Sequence, residues 1–548
     1  MFLDKRQRPV ETMQATSNLS RRSTMKHPRP FDKAQARCYN LSHRPARDVK
    51  MKEKPMSLRI TWVILLTGFL AACGPLSPKA PLELPPPYRP TPEPTPILGV
   101  AAVAPLPEYR LNLTLDAAAR RLVGQQQVTF SNRSGVALEE IVFRLYPNLP
   151  QYGGQMDIGS VWVDGKRRAS SLRADDTSLA IPLPAPLPPG ASATIALTFD
   201  VDIPPKEAGY ALFGFSQGIW SLPDAYPLLA VHDGSTTRAA SGSTWHEDIA
   251  PPHGDAVFAD AALYDVTLTL PPALTLAATG MVVSDTLNAG GQRVYHIAGG
   301  PLREFAWLAS ADYHLAETTA VGTILRSYYL SGDEAPGQAV LGIAAAALRA
   351  YEDAFGPYPF GEMTVAEAPL THFGMEYPSL NFIGLDLYRD QAAELENRVA
   401  HEIAHQWWYA QVGNDQINTP WLDEGLAEYS MAIYYRQVFG EEKKDALVNQ
   451  RWLVPYQVAV QNGYDAVVNQ PSAAFSWEYE VIVYGKAALF FNALHQELGD
   501  ETFKAVLHEY ANRYRWRIAT PDDFLGVAES VSGRDLDSLY NYWILSKQ

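Results

Sequence analysis

The sequence predicts an α+β multidomain protein, with a β-sandwich-like N-terminal domain followed by a mainly helical one. Two periodicities predict it. From residue 108, Tyr109, Leu111, Leu113 and Leu115 alternate with polar residues, as do Ile195, Leu197, Phe199, Val201 and Ile203, and then Tyr264, Val266, Leu268 and Leu270. Proline and glycine punctuate these runs, so about 200 residues read as short, half-buried strands. This part, residues 108–312, ends where Glu304-Phe305-Ala306-Trp307 leads into residues 313–548. There the period changes: Gln338 to Phe355 is alanine-rich with helical spacing, and Tyr484 to Leu498 and Thr502 to Tyr514 read as further amphipathic helices.

The chain before residue 108 has a different character. Residues 1–50 carry 12 Lys/Arg against 4 Asp/Glu, so the net charge of −15 divides into about +8 for this leader and near −23 for the rest. An acidic folded part argues against a nucleic-acid partner. Within residues 51–73, Lys52, Lys54 and Arg59 precede an apolar run from Ile60 to Phe69, and Leu70-Ala71-Ala72-Cys73 resembles a bacterial lipobox. The run is too short for a comfortable membrane span. A lipid on Cys73, membrane attachment and an extracytoplasmic location follow as expectations. Residues 1–50 then read as an over-extended start, with Met51 or Met56 as the true one, in preference to a cytoplasmic tail. Cys38 and Cys73 are the only cysteines, so a chain beginning at Cys73 forms no disulfide. Residues 74–107 are proline-rich, an extended spacer of about 3.1 Å per residue that lifts the folded part up to roughly 100 Å from a bilayer. With 47% apolar and 19% charged residues overall, the chain has ample material for cores.

His401-Glu402-Ile403-Ala404-His405 carries the chemistry. On a helix, residues four apart share a face, so both imidazoles reach one ion while Glu402 stands beside it. After eighteen intervening residues, Glu424 in Trp421-Leu422-Asp423-Glu424-Gly425 supplies a carboxylate, and two imidazoles with one carboxylate leave the fourth position of a tetrahedral zinc open. His401, His405 and Glu424 are therefore the expected ligands of one zinc ion per chain. Gly413-Asn414-Asp415 is expected to end the first helix, and Thr419 to cap a second that begins at Pro420. One turn beyond Glu424, Glu428 is expected behind the ligands.

These blocks resemble the gluzincin zinc aminopeptidases, the family of the alanyl and leucyl aminopeptidases and leukotriene-A hydrolase. His401 to Trp407 is similar to the family's zinc helix, and Trp421 to Tyr429 to its third-ligand helix. Phe355-Gly356-Pro357-Tyr358-Pro359-Phe360 and Phe373-Gly374-Met375-Glu376-Tyr377-Pro378 are similar to the approach to its exopeptidase motif, and Tyr484-Gly485-Lys486-Ala487 to its catalytic-tyrosine block. The resemblance covers the helical part well, the β-rich part more weakly and the first hundred residues not at all. It implies a thermolysin-like catalytic domain that acts on peptides. Glu402 would be the general base, Tyr484 the donor to the oxyanion, and Gly374, Met375 and Glu376 the substrate-binding strand, with Glu376 on the substrate's free ammonium.

The family's Gly-Ala-Met-Glu-Asn stands here as Phe373-Gly374-Met375-Glu376-Tyr377, with Tyr377 replacing the asparagine. Glu247 and Asp248, considered as a second ammonium anchor, read instead as a solvated loop. The chain ends soon after Tyr484, so the expected cleft is open. A zinc metallo-endopeptidase, and less favourably an inactive scaffold lipoprotein, remain as alternatives.

Overall fold

The computed structural model describes residues 105–233, 244–389 and 391–548. The leader, the lipobox with Cys73 and most of the proline-rich spacer lie outside the described residues.

Three sheets are built from the strands up to Ser310. The largest has eight strands, with Glu108–Asp116 paired in parallel to Ala262–Leu270 and antiparallel to Arg121–Ser131. Its alternating residues turn inward: Leu111, Leu113, Leu197, Phe199, Val266 and Leu268 are all buried. Two four-stranded sheets, one holding Leu138–Arg144 and the other Trp307–Ser310, close on the same core through residues such as Phe143 and Leu308. Each strand thus buries one face at a period of two.

A five-stranded sheet begins at Tyr313, in the order Tyr313–Ala320, Thr323–Leu330, Glu362–Ala368, Leu380–Gly384, Gly374–Tyr377. Period two again decides what each face meets. Met363, Val365 and Ile383 join the core of the helical part, while Ala366, Ala368, Leu380 and Phe382 join the core of the β-rich part. This sheet therefore couples the two halves. Against it lies the helix Glu334–Phe355, four residues longer than its alanine-rich stretch suggests. Pro336 is tolerated because a first-turn residue needs no amide donor. Gly337 is required by packing, since a Cβ there would fall 2.4 Å from the Tyr329 ring.

A buried arginine fastens the halves at one more point. Arg303, 1% exposed, donates to the carbonyls of Ala259 (3.1 Å), Gln411 (3.1 Å), Arg517 (2.8 Å) and Tyr409. A side chain at Gly413 would place Cβ 2.3 Å from Arg303 Cζ. Among the described residues, no helix is long and apolar enough to cross a membrane.

Candidate zinc centre and ammonium site

The helix Ala392–Ala404 presents His401 and Glu402 from its last turn, and His405 is its C-cap. The helix stops there rather than at Gly413-Asn414-Asp415. Trp407 and Trp408 both return amides to Ala404, and Arg303 binds the carbonyls of Tyr409 and Gln411, so tertiary hydrogen bonds redirect the chain before any local breaker. The second helix is Trp421–Phe439. Pro420 sits at its N-cap, and the Thr419 hydroxyl donates to the Asp415 carbonyl at 3.0 Å instead of capping. Asp423 and Glu424 occupy the first turn, where the helix dipole favours negative charge.

Three donor atoms converge. His401 Nε2 lies 3.2 Å from Glu424 Oε2 and 3.1 Å from His405 Nε2, and His405 Nε2 lies 3.3 Å from Glu424 Oε2. Atoms about 2.0–2.1 Å from a tetrahedral zinc are separated by roughly 3.3 Å, so the three fit its edges. The far side of each ring is held. His405 Nδ1 donates to the Trp408 carbonyl at 2.9 Å, and His401 Nδ1 lies 3.1 Å from Glu428 Oε2. The bond to Trp408 keeps the His405 proton on Nδ1 and turns its Nε2 lone pair inward, whereas Glu428 stands beside His401 Nδ1 as a charge neighbour outside hydrogen-bond geometry. Glu428 in turn accepts from Arg451 Nε and from Trp452 Nε1 at 2.7 Å. Burial is the largest single influence on Glu424 and pushes its carboxyl up, but His401 and His405 together overcome it and hold Glu424 far below the usual range.

Two further residues of the expected set border the cradle. Glu402 is 2% exposed, with Oε1 3.5 Å from Arg398 Nη1. A Cβ on Gly374 would lie 2.2 Å from that same oxygen, so this glycine, expected on the substrate, makes room for Glu402. Tyr484 lies not in a regular helix but in a π-helical turn, Glu480–Lys486, ahead of the helix Ala487–Leu498. That wider turn brings its hydroxyl to Glu424 Oε1 as a donor and its ring to 5.8 Å from that of His401.

Glu376 arrives on the edge strand Gly374–Tyr377, paired opposite Asn381. Gln406, from the turn after the zinc helix, locks this hairpin: it accepts from the Ser379 amide at 2.8 Å and donates to the Tyr377 carbonyl at 3.1 Å and to Asn381 Oδ1 at 2.9 Å. Tyr377 packs on Phe382, and with Met375 it lines a cavity beside Glu376.

Sequence reasoning missed the neighbours of Glu376. Gln416 Nε2 donates to Glu376 Oε1 (3.2 Å), Asp255 Oδ2 (3.3 Å) and Asp423 Oδ2 (2.7 Å), so one amide spans three carboxylates. Burial pushes Glu376 up to about 8; His405 opposes this and Glu402, Glu424 and Asp423 add to it. Burial, reinforced by Glu376, also raises Asp255 well above its usual range. Asp255 comes from the β-rich part and carries no motif that marks it. Glu247 and Asp248 lie elsewhere: Glu247 accepts from Ser178 and Arg173, and Asp248 lies 3.6 Å from His246 Nδ1.

Two imidazoles, a carboxylate and an adjacent glutamate on successive helices are the donor set of a catalytic zinc centre rather than a structural one. Residues 340–543 match the Peptidase family M1 domain. The alanine/arginine aminopeptidase of Saccharomyces cerevisiae is 28% identical over 263 residues, which is 42% of this chain and 29% of that protein. Aminopeptidase M1-C of Oryza sativa subsp. japonica is 25% identical over 309 residues, 52% of this chain and 34% of that protein. The chain thus spans about a third of the length of these relatives. The M1 zinc metallopeptidase of Deinococcus radiodurans shares the fold with a TM-score of 0.62, at 21% identity over 81% of this chain and 94% of that one.

Proposed function

We propose that the protein is a zinc-dependent aminopeptidase that binds one zinc ion per chain and removes N-terminal residues from peptides. The observation that carries this reading is the position of Glu376 and Asp255. They are two buried carboxylates bridged by Gln416 beside the metal cradle, and no lysine or arginine forms an ion pair with either among the described residues. Buried anions of this kind require a cation. A substrate's terminal ammonium would supply one, and Glu376 offers an oxygen within 4.8 Å of a ring nitrogen of His405, one of the cradle residues.

Zinc held by His401, His405 and Glu424 would supply Lewis acidity and bring the pKa of water in its open position towards neutrality. Glu402 would act as the general base, taking a proton from the attacking water and passing it to the leaving amine. The Tyr484 hydroxyl, already directed into the cradle, donates to the oxyanion. Glu376 and Asp255 orient the substrate by its charge, and blocked termini are rejected because they bring none. The test combines zinc content by elemental analysis with cleavage of one peptide in free and N-acetylated forms. About one zinc per chain and a strong preference for the free form are expected; equal cleavage of the two forms overturns the reading. A zinc metallo-endopeptidase is the second reading, favoured by Tyr377 in place of the family's asparagine.

We also infer that the protein is exported and anchored through lipid on Cys73, on the evidence of the lipobox-like segment. Cys73→Ser is expected to release it from the membrane fraction. Removal of the unaltered protein from membranes by salt alone contradicts the anchor.

A further inference from the structure

Beside Glu376, a partly open pocket, with about 30 Å³ of room for the centres of water molecules, runs toward the β-rich part. Its walls are largely aromatic and apolar, with Tyr152, Tyr210, Leu212, Met375 and Tyr377 among them. Glu304, 2% exposed, lines it as well, and Asp224, fully buried, stands behind Glu304. Glu304 Oε1 accepts the hydroxyl of Tyr409, but Glu304 Oε2 and both oxygens of Asp224 receive no donor. The two carboxyls face only each other and can share one proton between them. Neither meets a lysine, arginine or histidine at ion-pair distance among the described residues. The adjacent Arg303 is turned away, its guanidinium committed to four carbonyls.

Such a pair is expensive to bury and contributes nothing to packing that two apolar side chains would not. The arrangement is nevertheless imposed on the backbone. Tyr409 is held at φ +143°, a conformation that side chains rarely adopt, and from there its hydroxyl reaches Glu304. Burial is the main reason both carboxyls are pushed up, Asp224 to about 7, and each would regain its charge if a cation arrived.

We propose that this cavity receives the side chain of the substrate's first residue, and that Glu304 with Asp224 selects lysine or arginine there. The proposal rests on the aminopeptidase reading. If Glu376 holds the α-ammonium and the cradle holds the first carbonyl, the side chain branches from the carbon between them, into the space that Met375 and Glu376 border. A lysine or arginine stem lies well against tyrosine rings while its charged head reaches further in. There it meets the carboxyl pair, and a guanidinium can engage it with two parallel hydrogen bonds.

The experiment compares kcat/KM for arginyl and lysyl substrates with their uncharged near-isosteres, citrullyl and norleucyl, on the same leaving group. The purified protein is expected to prefer the charged member of each pair by about thirtyfold or more, the scale of a buried charge pair. In Glu304→Gln, and separately in Asp224→Asn, that ratio is expected to fall toward one. A ratio near one in the unaltered protein overturns the proposal while leaving the aminopeptidase reading intact. Equal losses on charged and neutral substrates in both variants also overturn it, since they assign the pair a structural role. Turnover of blocked peptides with none of any aminoacyl substrate overturns both.

Discussion

The cradle and the cavity lie close together, with His405 near Glu376 as well as among the cradle residues, and their electrostatics are opposed. At the cradle each carboxylate has a cationic or proton-donating neighbour. Glu424 faces two imidazoles, Glu428 faces His401 and Arg451, and both are held far below the ordinary carboxylate range despite the upward push of burial. On the cavity side Glu376, Asp255, Glu304 and Asp224 are just as buried, form no ion pair with a lysine or arginine among the described residues, and are all pushed up. The first arrangement holds a permanent charge in a fixed geometry. Among the described residues the second lacks such ion-pair partners, which is why the proposed substrate site is placed there. Burial alone therefore distinguishes nothing; the partners within hydrogen-bond reach do.

The largest effect expected from breaking the cradle is that of Glu424→Ala. It removes one of three ligands, so zinc content should fall toward zero and activity with it; full occupancy by elemental analysis would remove Glu424 from the ligand set. Glu402→Gln should separate metal binding from proton transfer. Zinc stays, while kcat falls by about a hundred- to ten-thousandfold. A rate within a few-fold of the unaltered protein would mean that another group activates the water. Arg451→Met tests the support behind the ligands. It leaves Glu428 without its guanidinium, and zinc affinity should drop by about ten- to a hundredfold in a competition assay. An unchanged affinity would show that Trp452 alone orients Glu428.

The smallest effect belongs to the other side and should run in the opposite direction. Asp224 binds its proton more tightly in the folded state than in the unfolded one, with its carboxyl at about 7 rather than 3.8. Between those values the folded chain holds more protons, so stability declines as pH rises through that window. Asp224→Asn should flatten the decline and raise Tm near neutral pH by a few degrees. A lower Tm would show that the carboxylate stabilises the fold and that its charge is not in want of a partner.

The two sides also differ in how far they can be read from sequence. His401, Glu402 and His405 are legible because a helix fixes the relation of residues four apart, and Glu424 because its helix follows closely. The alternating strands around Leu111, Leu197 and Leu268 are legible for the same reason, a short period. Tertiary contacts decide the rest. The zinc helix ends at His405 because Arg303, about a hundred residues earlier, takes the carbonyls beyond it. Thr419 fails as a cap because Asp415 offers its hydroxyl an acceptor. Tyr484 enters the site through a π-helical turn that no periodicity marks. Asp255, Glu304 and Asp224 come from three separate segments of the β-rich part, and only the packed sheets bring them to Glu376. Spacing encodes the cradle, whereas the carboxylate-lined cavity depends on topology.

The measurement that bears most directly on the whole account is kcat/KM for one peptide with a free and with an acetylated N-terminus, in the unaltered protein and in Glu376→Ala. A buried ammonium left without its partner costs about 2–5 kcal/mol, so the variant should lose roughly thirty- to several-thousandfold on the free peptide. It should barely change on the acetylated peptide, and the preference for free termini should collapse. Equal losses on both peptides would contradict the account, because Glu376 would then support the site without recognising the substrate's charge.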